Sequence, residues 1–264
     1  MKIFRKKIPL QKNILEVKNL SFVPTMGGLH KGHEKLIKIA KKRFKKVLVS
    51  IYVNPKQFNS KNDFKSYPRN LKKDISLLRK LKVDYLYFPS YLDIFSFKSR
   101  NKIYLHNFSK KLCGKYRRNH FKGVVNVVNR FLEIAKPKYI LLGKKDFQQL
   151  FLIKKHIEKN KINTKVISCN TVREKNGIAC SSRNRNLSKK EFKNFSKIIK
   201  FIKKNKNSIN RKEIFKIMKK EGVKKIDYVE FLNLKTLKKS KNLKSKFNIF
   251  LSFYLGKTRL IDNF

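Results

Sequence analysis

Tryptophan is absent, cysteine occurs three times, and only 16 Asp+Glu stand against 69 Lys+Arg in 264 residues. Each scarcity excludes something. Cys113, Cys169 and Cys180 are an odd count without CxxC or His-partnered zinc spacing, so neither a disulfide framework nor a zinc site is expected, and a reducing cytoplasm fits. No apolar run approaches the ~20 residues that cross a bilayer. The first twenty residues, MKIFRKKIPLQKNILEVKNL, are broken by Lys and Arg before a signal-type apolar stretch could form. A cytoplasmic protein with no membrane partner is expected.

The shortage of acid leaves a formal net charge of +53, which raises the question of a polyanionic partner. Successive blocks of fifty residues hold 14, 11, 12, 14 and 16 Lys+Arg, with no basic tail. So even a spread is a solvated coat rather than a nucleic-acid patch; weak, salt-sensitive polyanion binding follows from it, and no specific nucleic acid. With 41% hydrophobic and 12% aromatic residues the chain can bury a real core, enough for one large domain or two modest ones.

Strand-length apolar runs at residues 21–24, 47–53, 83–88, 139–143 and 165–169 alternate with helical patterns at 33–44, 71–81 and 123–135. That alternation predicts a doubly wound parallel sheet covered on both faces, a Rossmann-like α/β architecture. From about residue 187 the pattern changes. Ser188 and Glu191 form a capping box opening a Lys-rich helix, a second helix is expected over 211–221, and strand-like runs follow at 226–232 and 247–254. The lysine runs near 189–206 and 235–246 are low in complexity but keep apolar periodicity. We therefore expect a first domain at 1–171 and a smaller α+β domain at 172–264.

Four strings at strand exits carry candidate chemistry. The first, PTMGGLHKGH at residues 24–33, joins a strand to a helix; Gly27, Gly28 and Gly32 would let backbone approach a ligand, the helix N-terminus would offer amides to phosphate, and His30 and His33 lie three apart on one face. It is neither GxGxxG nor a P-loop. The second, VSIYVNPKQF, puts Asn54 and Gln57 after a buried strand, and an amide that donates and accepts suits a hydroxy acid. The third, LLGKKDFQQL, offers Lys145 to a phosphate, Gln149 one turn on, and Asp146 as a cap for the helix. The fourth, VREKNGIACSSRNRNL, gathers Ser181, Ser182 and Arg183 into an anion site. In an open α/β sheet such strand exits border one crevice.

Together with YPR at residues 67–69, HFKGVVNVV and the terminal LGKTRLIDN, these strings occur in the order found in pantothenate synthetases, and the chain resembles that family from about residue 3 to its end. The resemblance implies an AMP-forming ligase that joins (R)-pantoate and β-alanine through a pantoyl adenylate, with ATP as substrate accompanied by Mg2+, no tightly bound organic cofactor, a homodimer, and a C-terminal lid. It implies that Met26, Gly27, Gly28, Leu29, His30, Lys31, Gly32 and His33 bind ATP, with His33, His30 and Lys145 catalytic. Gly143, Lys144, Lys145 and Asp146, and Val172, Cys180, Ser181, Ser182 and Arg183, would complete nucleotide binding. Gln57 and Gln149 would hold pantoate, with Asn54, Tyr67 and Arg117 also at the substrates.

Two departures stand out. Where the family has Arg-Pro-Gly-His-Phe, this chain has Arg117, Arg118, Asn119, His120 and Phe121, without the Pro-Gly turn. The stretch associated with magnesium reads Asn70, Leu71, Lys72, Lys73, Asp74, leaving Asp74 as the one candidate metal ligand. A nucleotidyltransferase acting on a phosphorylated substrate shares the HxGH feature, but it gives no reason for two neutral glutamines.

Overall fold

Five parallel ladders organise the first half of the molecule, and the computed structural model describes residues 1–59, 61–240 and 247–264. Residues 241–246 of the second lysine run lie outside the described residues. The chain divides into two compact units, Met1–Asn170 and Thr171–Phe264.

The first unit runs β1 (Lys2–Phe4), α1 (Lys7–Ile14), β2 (Leu20–Thr25), α2 (Lys31–Arg43), β3 (Lys46–Ile51), α3 (Lys61–Lys65), α4 (Leu71–Lys80) and β4 (Tyr85–Tyr87). It continues through α5 (Tyr91–Phe95), α6 (Cys113–Tyr116), α7 (His120–Ala135), β5 (Tyr139–Gly143), α8 (Phe147–Lys159) and β6 (Lys165–Cys169). The strands form one all-parallel sheet in the order β1-β4-β3-β2-β5-β6. This is the doubly wound sheet expected from the sequence.

Consecutive strand residues point to opposite faces, and here both faces are apolar. Phe22, Leu48 and Ile140 pack with α1, α7 and α8 through Leu10, Val124, Val128, Phe131 and Ile153. Their neighbours Val23, Val49 and Leu141 pack on the other face with Ile37 and Ala40 of α2 and Leu78 of α4. Phe22 is fully buried, with its ring edge-on to Phe131 at 5.6 Å, so Phe22→Ala would cost about 3–5 kcal/mol.

After β2 the chain winds outward to β3 and β4, then α7 carries it back to β5 on the opposite side of β2. The β2/β5 boundary is therefore the topological switch point, where an open α/β sheet offers a ligand crevice at its strand C-termini.

In the second unit, α9 (Lys189–Lys204) and α10 (Arg211–Lys220) precede β7 (Lys225–Asn233), β8 (Phe247–Leu255) and β9 (Thr258–Asn263), an antiparallel sheet in the order β7-β8-β9. The Ser188/Glu191 capping box forms as expected, and Asn210/Glu213 makes a second one at α10. Ile198, Ile199 and Ile202 of α9 and Ile214 and Met218 of α10 are buried against Ile249, Leu251 and Phe253.

Candidate active site

The β2–α2 turn carries the two histidines. Gly27 and Gly28 have φ of +73° and +60°, a region L residues with a Cβ avoid. The amides are already engaged: Gly27 N–H donates to Thr25 Oγ1 (3.2 Å), while Gly28 and Leu29 N–H donate to Asp74 Oδ2 and Oδ1 (each 2.8 Å). A Cβ on Gly27 would sit 2.9 Å from Asp74 Oδ2. The conformational freedom of these glycines lets the turn wrap a buried carboxylate.

His30 is the N-cap of α2, in extended backbone (φ −144°), and its Nδ1 accepts from Gly32 N–H at 3.1 Å. With Nδ1 accepting, the neutral ring carries its proton on Nε2 and is a donor there. The His30 and His33 rings lie 4.1 Å apart, tilted by 42°. The two imidazoles are thus side by side as the spacing predicted, though His30 stands just before the helix rather than in it.

Beyond β3, Gln57 is buried at the end of a 3-10 turn, Pro55–Gln57. Its side-chain amide donates to Met26 Sδ, joining the loop to the β2–α2 turn. Its carbonyl accepts from Arg117 Nη2 (3.0 Å) and His120 Nδ1 (2.6 Å). Arg117 Nη1 donates to His120 Nε2 at 3.0 Å, so the Nδ1–H tautomer of His120 is fixed by a donor on one side and a carbonyl on the other. Arg117, expected at a substrate, also supports the Gln57 backbone. Asn54 is likewise spent on structure: its Oδ1 caps Lys56 N–H and its Nδ2 donates to Gly123 O. Gly123 is required there, because a Cβ would meet the Lys56 carbonyl at 2.5 Å. Tyr67 is buried with its ring edge-on to Phe58 at 5.5 Å.

Asn119 takes the left-handed conformation (φ 60°) at the start of α7. Asn tolerates that region better than other residues with a Cβ, so no glycine is needed there.

At the end of β5, the chain enters α8 through a 3-10 turn, Lys144–Asp146. Asp146 makes no side-chain cap, which corrects the sequence expectation; at φ −97°, ψ 55° it lies outside the extended geometry from which a side chain reaches the N2 or N3 amide, and it stands 3.7 Å from Lys145 Nζ. Lys144 Nζ donates to Asn170 Oδ1. Gln149 is half-buried, and its amide makes no hydrogen bond to a described residue. Its neighbour Gln148, which the sequence reading passed over, is buried and holds the 108–113 loop by donating to Phe108 O and Lys111 O and accepting from Cys113 N–H. Nothing local distinguishes the two glutamines in sequence, because helix phase is set by packing.

Asp74 does not fit a metal. Both oxygens are taken by amides, it is 4% exposed, and among the described residues no group of three or more His, Cys, Asp or Glu could hold an ion. Lys72 and Lys73 are exposed beside it.

In the second unit, residues 172–180 fold as a small hairpin with Cys180 N–H donating to Val172 O. Ser181 Oγ then caps the 3-10 turn Ser182–Asn186 by accepting from Arg183 N–H. Cys180 is buried with its thiol 3.2 Å from Glu174 Oε1, and the three cysteines are free. Arg173 grips Asp262 with both terminal nitrogens (2.7 and 2.9 Å), tying the hairpin to β9 and giving the terminal LIDN string a structural role.

A parallel sheet whose switch point is flanked by a paired-histidine turn after β2 and by Lys145 just after β5 is a Rossmann-like fold with a crevice suited to an anionic ligand. The chain belongs to the pantoate-beta-alanine ligase family, whose model matches residues 2–264. Pantothenate synthetase of Clostridium botulinum strain Langeland is 39% identical over 255 residues, covering 93% of this chain and 91% of that protein. Pantothenate synthetase of Francisella tularensis subsp. mediasiatica is 39% identical over 259 residues, covering 97% and 92%. Among solved structures, a Francisella tularensis pantoate-beta-alanine ligase complexed with beta-gamma ATP and beta-alanine has TM-score 0.89 at 39% identity, covering 100% of this chain and 97% of that one. A pantothenate synthetase of Thermus thermophilus has TM-score 0.91 at 27% identity, covering 100% and 99%.

Proposed function

We infer that this chain condenses (R)-pantoate with β-alanine, cleaving ATP to AMP and pyrophosphate through a pantoyl adenylate. The observation that carries the reading is the match to the pantoate-beta-alanine ligase family over residues 2–264, whose strings stand at the ends of β2, β3 and β5 around the switch point.

The pantoate carboxylate attacks the α-phosphorus and pyrophosphate leaves. Negative charge grows on the phosphate oxygens along the way, so fixed donors lower the barrier. His30, His33 and Lys145 are assigned that task. His30 is suited to it because the Gly32 bond to Nδ1 places its proton on Nε2. The deprotonated β-alanine amine then attacks the activated carbonyl and AMP departs. No covalent enzyme intermediate is needed, so buried Cys180 is given no chemistry.

Gln149 is assigned to pantoate because its amide makes no hydrogen bond to a described residue, and Gln57 because its amide reaches Met26 of the β2–α2 turn. Neutral amides can bind two hydroxyls and a carboxylate without blunting the nucleophile with excess charge. In the second unit the turn at Cys180–Arg183 is assigned to nucleotide phosphate, with Val172 on the paired side of its hairpin. Magnesium would arrive on the triphosphate, with water completing its shell, since the residues near Asp74 do not form a site for it. Exposed Ile8 and Leu15 near α1 and Tyr91 and Leu92 on α5, two elements joined by a Lys7 N–H to Asp93 bond, support a homodimer. Three buried free cysteines support a cytoplasmic setting, and among the described residues no helix is long and apolar enough to cross a membrane.

The test is to supply ATP, pantoate and β-alanine together and omit each in turn. AMP and pyrophosphate should form, with pantothenate appearing only when all three are present. ADP and orthophosphate would contradict the mechanism.

A further inference from the structure

Among the described residues of the first unit the one buried acid is Asp74, on the first turn of α4, 46 residues from the Gly28 amide it accepts. Its two oxygens accept separate amides, Gly28 and Leu29, at 2.8 Å each. Charge-assisted bonds of this kind are roughly twice as strong as neutral ones, and two of them fix the orientation of successive peptide planes. The next residue is His30. Its conformation as the α2 cap and its tilted 4.1 Å approach to the His33 ring both depend on how the chain arrives there. Asn70 caps α4 by accepting from Lys73 N–H, which fixes the helix that presents the carboxylate, while Lys72 and Lys73 face solvent. The turn has in addition been shaped around Asp74: Gly27 has positive φ, and a Cβ on it would lie 2.9 Å from Oδ2 and 3.2 Å from Ile51 Cγ2.

We propose that Asp74 is a positioning residue for the nucleotide-binding turn, aiming the His30–His33 pair through the amides of Gly28 and Leu29, and that it is not a metal ligand. The inference rests on the reading of that turn as the ATP site. With Lys72 and Lys73 beside it and both of its oxygens on amides, Asp74 keeps the brace and has no carboxylate partner with which to chelate.

The experiment compares wild type with Asp74→Asn, Asp74→Ala and Gly27→Ala, following AMP formation against ATP, pantoate and Mg2+, alongside amide 1H–15N spectra and thermal melts. Asn keeps one carbonyl acceptor at nearly the same shape, so kcat should fall about tenfold, and on the order of 10²-fold for Ala, the scale of misplacing a catalytic group by about 1 Å. The KM for pantoate and the half-saturating Mg2+ concentration should not move. The Gly28 and Leu29 amide protons should shift upfield in both variants. Gly27→Ala should reproduce the kcat loss, and combined with Asp74→Ala it should cost less than the sum of the two singles, because both act through one contact.

Wild-type kcat in folded Asp74→Ala would overturn the proposal. So would a raised Mg2+ requirement with kcat restored by excess metal, the signature of a ligand. If Asp74→Ala does not fold, Asp74→Asn decides, and unmoved Gly28 and Leu29 resonances with unchanged kcat would overturn it. Failure of the wild type itself to make AMP from pantoate and β-alanine would instead refute the functional reading, and the amide shifts would still test the brace.

Discussion

The turn at residues 25–34 and the cluster around Asn129 are both polar and largely buried in the first unit, yet they direct their hydrogen bonds differently. Around Asn129 the bonds run inward. Its amide donates to Ser99 Oγ and Glu133 Oε1, and its Oδ1 accepts from Asn101 Nδ2 and His156 Nε2. Burial alone would raise the Glu133 carboxyl, but hydrogen bonds from Ser99, Asn101 and Asn129 hold it below its usual range. His156 is 1% exposed, and its Nδ1 accepts from Tyr104 N–H. Burial lowers its pKa to about 4, so it is a neutral structural ring.

In the β2–α2 turn the backbone is committed inward, to Thr25 and Asp74, while both imidazoles remain half-buried. His156 is bonded through both nitrogens inside the core, whereas the Nδ1 of His30 serves as the cap of α2.

That contrast can be broken most severely at His33. His33→Ala should lower kcat by about 10²–10³-fold with the melting temperature nearly unchanged, because a donor to developing charge is lost rather than a packing element. Steady-state kinetics with a thermal melt reads both.

At His156 the prediction reverses. His156→Ala should cost about 2–3 kcal/mol of stability by leaving Tyr104 N–H without this acceptor and removing one of the two donors to Asn129 Oδ1, with KM values retained in the folded enzyme. Its pH dependence carries a sign. The pKa is 6.5 for the ordinary group and about 4 in the fold, so the folded form binds fewer protons between those values. The contribution is complete above pH 6.5 and is lost as pH falls toward 4. Denaturant titrations across that window should show a shallower slope for His156→Gln than for wild type.

The adjacent glutamines sharpen the same comparison at smaller scale. Gln149→Ala should raise the KM for pantoate by ~1–3 kcal/mol in binding terms with an unchanged melt, while Gln148→Ala should lower the melt and leave ATP dependence alone. Equal effects on pantoate KM would show that the helix phase assigned to the site is wrong.

The smallest effect belongs to Asn119. A β-branched Val at φ 60° should cost ~1–2 kcal/mol, and Gly should stay within ~1 kcal/mol of wild type, as urea unfolding would measure.

Much of this was legible in the chain. Residues 139–143 and 165–169 are read to the residue because apolar runs end at Gly143 and Cys169 beside polar punctuation. The Ser188/Glu191 box is a local code and forms as written. What escaped was nonlocal or short. Strand Lys2–Phe4 has three residues, too few for alternation to register, and helix Lys7–Ile14 has weak amphipathicity interrupted by Pro9. Helix His120–Ala135 starts three residues before its apolar period suggests, because Asn119 opens it from a left-handed conformation. The glycines of residues 27 and 28 were visible, but their reason lay in Asp74, and no spacing rule links positions so far apart. Nor could spacing show that Arg117 and Asn54 would bond Gln57 O and Gly123 O.

The central claim is that pantoate's own carboxylate attacks the α-phosphorus of ATP. Pantoate labelled with 18O in its carboxylate tests it in one turnover, with AMP analysed by mass spectrometry. An acyl adenylate leaves one carboxylate oxygen on phosphorus when the amine of β-alanine expels AMP, so each AMP should carry one 18O and pantothenate should retain the other. Unlabelled AMP, or label found in pyrophosphate or orthophosphate, would contradict the account.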